Sequence, residues 1–248
     1  MSDKSSFLAQ SSSFIQRRSF LKYAGATAST AALVLAGCND DDDPSTTPAT
    51  NKVEVGAADN GVLNYAYALE QFEAAFYLRL RTGVYYTTIA SAAEKQILDD
   101  LAKHEKTHVD FLKSIIPSAA LIKTLEIDFS TINFDTRQTV LTAAMTFEDL
   151  GVAAYNGAAR YLTNPLTVLT LGKIVSVEAR HAALIRDLLN YNSFAGSDVV
   201  NRFVPAASGL PGDGDGNGLE LSKTPAQVIE LVNPFLKEGS KLEAKNLV

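Results

Sequence analysis

All three histidines of this 248-residue chain lie in two short strings that also carry glutamate. "KHEKTH" holds His104, Glu105 and His108, and "VEARH" holds Glu178 and His181. Residues three apart on a helix share a face, and a carboxylate beside an imidazole offers oxygen and nitrogen lone pairs to iron, manganese or zinc. The first string also spells HExxH, which in zinc peptidases puts two imidazoles on one metal with the glutamate as base. Val177 stands in the second string where His104 stands in the first. The shared unit is therefore Glu-x-x-His, and His104 is the extra letter.

Each such string has a companion. "LEQFEAAFY" carries Glu70, and "FEDLGVAAY" carries Glu148, each followed seven residues on by a tyrosine, Tyr77 or Tyr155. This is a weak internal repeat. At about 100° per residue, Glu105 and His108 fall inside the apolar stripe of Ile97, Leu98, Leu101, Leu112 and Ile115. Glu178 and His181 fall among Val177, Leu184, Ile185 and Leu188. Glu70 shares a face with Leu63, Ala66, Ala74 and Tyr77, and Glu148 with Leu141, Ala144, Val152 and Tyr155. Counted from the helix ends, the four glutamates stand level to within about 3 Å. Glu73 also points inward and could replace or supplement Glu70, although it aligns with Gly151 in the repeat. Tyr77 and Tyr155 read as core packing, as hydrogen-bond donors to ligand carboxylates, or as radical-trapping phenols near an oxidising metal. His104 reads as a rim residue or as a support for the site.

Four carboxylates in an apolar core are costly without a cation, and two divalent ions supply the matching charge. The peptidase alternative needs His104 and His108 on one zinc with a third ligand such as Glu126. It leaves Glu70, Glu148, Glu178 and His181 buried for no reason.

The elements that must position these residues are four long helical segments. The first is expected from Val62 to Arg81, after turn residues Asn60 and Gly61. The second runs from Ser91, with Glu94 completing a capping box, to Ile116 before Pro117. The third starts at Asp135 with Gln138 and continues to Leu162. The fourth opens at Asn164–Pro165 and ends near Asn190. A short fifth helix begins at Thr224–Pro225. Short links make the first and second, and the third and fourth, antiparallel neighbours. Between the second and third, about 18 residues with Leu125, Ile127 and Phe129 alternating can run the length of the bundle. The predicted fold is all-α: an up-down-down-up four-helix bundle over residues 60–190 with that long crossover. A C-terminal extension, 191–248, follows. In it "GDGDGNGLE" resembles the start of a calcium loop, but Thr224 stands where a bidentate glutamate is required, so it reads as a flexible loop.

On "LEQFEAAFY", "EKTH", "FEDLGVAAY" and "EARH", the chain resembles the bacterial ferritin-like domain family with exported, desiccation-related members. The resemblance implies Glu70, Glu105, His108, Glu148, Glu178 and His181 as metal ligands, with Glu105 and Glu178 bridging. It also implies two iron ions, or manganese, as the cofactor.

The remaining sequence bounds the setting. A net charge of −6, with no basic stripe after residue 22, argues against nucleic acid as a partner. Residues 1–38 resemble a twin-arginine export signal, with Arg17, Arg18, Phe20, Leu21 and Lys22, although Gln16 stands where that signal often has Ser or Thr. The run ends in a lipoprotein box, Leu35 to Cys38. Cys38 is the single cysteine, which rules out a disulfide framework and reads as the lipidated residue. Residues 39–59, rich in Asp, Pro and Thr, read as a tether. The expected protein is therefore exported and lipid-anchored in the periplasm or cell envelope. Its partners are the membrane, through that anchor, and a small oxidant such as dioxygen or peroxide. The oligomeric state stays open, a dimer being one option. A redox-active di-metal oxidoreductase and a non-enzymatic, stress-protective metal protein both fit this pattern.

Overall fold

The computed structural model describes residues 52–200 and 218–247. The export signal, Cys38, most of the tether and the calcium-like loop up to Asn217 lie outside the described residues. Within them the helices are α1 (Ala58–Leu80), α2 (Val84–Thr88), α3 (Ala92–Ile115), α4 (Arg137–Ala158), α5 (Pro165–Leu189) and α6 (Pro225–Val232). Two short strands, β1 (Val53–Glu54) and β2 (Leu242–Glu243), pair in parallel. The protein is all-α in class, as expected. Among the described residues no helix is long and apolar enough to cross a membrane.

Local chemistry explains the helix starts. Ser91 accepts from the Glu94 backbone N–H to cap α3, but the Glu94 carboxylate turns away to Tyr85 and Arg137, so the capping box is half made. Asn164 caps α5 with Pro165 behind it. Thr224 and Gln227 form the full reciprocal box on α6. Two expectations fail. The cap of α4 is Thr136 instead of Asp135, because the Thr136 hydroxyl accepts from the Thr139 N–H. Asn60 and Gly61 lie inside α1 and make no turn. Gly61 serves close packing: a Cβ there would meet the Gly56 carbonyl oxygen at 2.5 Å. The short α2, buried through Tyr85 and Tyr86, was not foreseen, since its five residues are too few to show a period.

In the bundle α1 packs on α3 and α4 on α5, α1 and α4 meet in the core, and the α3–α5 seam is the loosest. Ile115 and Leu184, expected in the apolar stripes, are 39% and 40% exposed. The crossover runs extended. Leu125 and Phe129 point into the core, and Ile127 pairs antiparallel with Leu236. Its backbone is satisfied by buried polar groups of α1. Asn64 bonds Ala120 and Ile122, and the Gln71 carbonyl accepts from the Leu125 N–H. Phe129 then joins Phe72, Phe76, Phe147 and Phe235 in a cluster with centroid separations as short as 4.7 Å.

The C-terminal segment packs on α4. Lys223 N–H donates to the Ala153 carbonyl at 2.9 Å, and a Cβ on Gly157 would stand 1.7 Å from the Lys223 carbonyl oxygen. Gly157→Ala is therefore expected to lift this segment and cost about 1–3 kcal/mol of overpacking. The readout is a lower urea midpoint; an unchanged midpoint would show that the segment does not dock as described. Buried Arg186 of α5 grips Asp149 of α4 and Asp198 beyond α5, at 2.6 and 2.8 Å.

Candidate metal centre

Six side chains from four helices form two overlapping sets of donors. Glu70, Glu105, His108 and Glu178 make one set, and Glu105, Glu148, Glu178 and His181 the other. Within each set the donor atoms lie within 4.8 Å of one another. Glu105 and Glu178 belong to both. Each turns one oxygen to each imidazole. Glu178 places Oε1 2.7 Å from His108 Nδ1 and Oε2 3.1 Å from His181 Nδ1. Glu105 places Oε1 2.8 Å from His181 Nδ1 and Oε2 3.8 Å from His108 Nδ1. Glu70 lies 3.2 Å from His108 Nδ1, and Glu148 lies 3.7 Å from His181 Nδ1.

The two tyrosines cross between the halves. Tyr77 donates to Glu148 at 2.5 Å, and Tyr155 donates to Glu70. Residue 77 meeting 148 while 155 meets 70 also shows that α1 and α4 run antiparallel, as an up-down-down-up bundle requires.

Burial sets the electrostatics. The four glutamates of the sets are at most 1% exposed. Apart from these close approaches to the His108 and His181 rings, both oxygens of Glu105, Oε2 of Glu148 and Oε1 of Glu178 meet no hydrogen-bond donor among the described residues. Burial, then the charge of Glu178, pushes the Glu70 carboxyl well above its usual range. Burial and Glu105 do the same to Glu148. Burial also pushes Glu105 up, but His108 and His181 outweigh it and hold this carboxyl at about 2. Burial opposes charge on the imidazoles too, yet the surrounding carboxylates raise His108 to about 12 and His181 to about 11.

Glu73 is a fifth buried carboxylate, 3% exposed, in neither donor set. Its Oε2 has no hydrogen-bond donor among the described residues, and a Cβ on Gly151 would lie 2.5 Å from its Oε1. The alignment of Glu73 with Gly151 was thus a cue to complementarity: the glycine leaves the room that the carboxylate fills. His104 also lies outside both sets. Its Nδ1 is 2.9 Å from Nε2 of His181, so it meets the other histidine of the cluster and shares no donor set with His108, as the HExxH reading would require. A cleft of about 310 Å³ lined by His108, Phe111, Thr170, Lys173, Ile174 and Val177 lies in the α3–α5 seam. No sequence signal marked it.

The family model of the ferritin-like domain matches residues 58–191, more than half of the chain. The chain belongs to the ferritin-like domain family. No curated protein matches it. The match begins at the first residue of α1 and ends just past α5, so this ferritin-like domain spans the four helices that supply every donor. A buried acidic and histidine cluster able to hold metal therefore sits inside the matched region.

Proposed function

We propose that this ferritin-like domain holds a di-iron or di-manganese centre and uses it on a small oxidant, dioxygen or peroxide. The observation that carries this reading is the pair of four-donor sets sharing Glu105 and Glu178. The donor set fits the metals: carboxylate oxygens and imidazole nitrogens, with no thiol, suit iron and manganese. The core carboxylate oxygens that meet no donor other than the two imidazoles are the atoms that two divalent ions would satisfy.

Glu70 and His108 would hold one ion, Glu148 and His181 the other, and Glu105 and Glu178 would bridge. Such a centre supplies electrons to a bound oxidant from two adjacent ions. The chain's own contribution is placement. Tyr155 and Tyr77 fix the Glu70 and Glu148 carboxylates by hydrogen bonds, which leaves each an oxygen for metal. Leu98, Leu101 and Ile185 are buried on the helices that carry the donors and keep their surroundings apolar. Glu73 stands by as an additional carboxylate. The leader supports placing the domain in the cell envelope, exported folded and tethered through lipidated Cys38.

Metal analysis of the purified chain tests the reading, with about two iron or manganese ions per chain expected. Rapid mixing of the reduced protein with oxygen or peroxide should give a fast optical change. Two bound ions without that change would assign the metal a structural role, stapling the bundle. A single zinc with peptide cleavage would overturn the proposal.

A further inference from the structure

The sequence repeat makes the two halves of the centre equivalent, but the structure does not. His104 occupies the position before Glu105, and Val177 the position before Glu178. Across the α3–α5 seam His104 reaches His181, Nδ1 to Nε2 at 2.9 Å, with the rings nearly parallel at 26°. At the corresponding place beside His108 stands Val177, and both line the 310 Å³ cleft with Phe111, Thr170, Lys173 and Ile174. The His108 side chain is 14% exposed, against 5% for His181.

Chemistry turns this difference into function. An imidazole that binds metal through Nδ1 carries its proton on Nε2. In metal-bound His181 that N–H would be donated to His104 Nδ1, 2.9 Å away, which would fix the ring and make its metal-facing nitrogen a better donor. His108 has an apolar residue there and an opening to solvent. We infer that the two metal positions are unequal: the His181 position is tight and closed, while the His108 position is labile and receives an exogenous small ligand through the cleft. This inference rests on the metal-centre reading above. The cleft opens to solvent beside His108, which leaves room for a triatomic ligand, and Lys173 on the wall favours an anion.

Cobalt(II) titration of the full metal-free chain, followed by visible absorption, tests it with azide as the small anion. Two steps are expected. His104→Ala should weaken the first about 10–100-fold and spare the second, and His104→Asn, which restores an oxygen acceptor, should recover most of the loss. Azide should change the spectrum only after the second cobalt is bound. Val177→Phe should lower azide affinity at least about tenfold, or about 1.4 kcal/mol, with the cobalt content unchanged. Two equal steps, an equal effect of His104→Ala on both, or azide binding to the one-cobalt protein would overturn the inference. Failure to bind any cobalt would instead overturn the metal centre itself.

Discussion

Glu178→Ala is expected to empty both metal positions at once, taking bound metal from about two ions per chain to none. Glu105→Ala should do the same, whereas Glu70→Ala or Glu148→Ala should leave about one ion. The distinction follows from membership of the donor sets. Glu105 and Glu178 are common to both, while Glu70 serves only the His108 set and Glu148 only the His181 set. Losing a shared carboxylate strips a donor from each position. It would also remove negative charge from between the two dications of the proposed centre, whose mutual repulsion is large in a buried site. Losing a terminal glutamate leaves the other set whole. Elemental analysis after desalting reads the pattern. One retained ion in Glu178→Ala, or none in Glu70→Ala, would show that the carboxylates are not shared in this way.

Metal-free protein should lose stability between pH 5 and pH 8, and metal should reverse that trend. Glu70, Glu73 and Glu148 have folded-state values raised well above the usual 4.5, burial being the largest cause in each. Above pH 4.5 the folded chain therefore holds protons that the unfolded chain has released, so their contribution declines as pH rises. His108 and His181 act in the same direction, full below 6.5 and lost towards about 12 and about 11. Glu105, held at about 2, contributes oppositely, but its change lies below pH 4.5. Bound cations require ionised carboxylates and neutral imidazoles, so protons compete with metal and affinity rises with pH. Metal at one hundred times its dissociation constant adds about 2.7 kcal/mol, or roughly 5–10 °C in a chain of this size. Calorimetry at pH 5 and pH 8, with and without manganese, checks both signs. A metal-free midpoint that climbs from pH 5 to pH 8 would contradict the buried-proton picture.

The bundle could be read from the chain because helical period is local. Apolar spacing placed the four long helices, and Ser91, Asn164 and Thr224 marked starts that the structure keeps. Local signals misled where two candidates competed, as at Asp135 and Thr136, where only hydroxyl geometry decides the cap. Gly61 looked like a turn because sequence does not show that the Gly56 backbone comes within a Cβ's reach. The faces carrying Glu70, Glu105, His108, Glu148, Glu178 and His181 were equally legible, since each carboxylate interrupts an apolar stripe.

The sequence by itself determined the four long helices, most of their inward faces and the chemical types on them. Only the tertiary structure decided which groups meet. Tyr77 bonds Glu148 and Tyr155 bonds Glu70, each across the bundle from the glutamate it follows in sequence. His104 was the odd letter of a motif until the α3–α5 seam brought it to His181. Glu73 found its room at Gly151 on another helix. The physical reason is that period fixes the angle of a side chain about its own axis. The partner it meets depends on the crossing and height of a second helix, which the packing of both cores sets together.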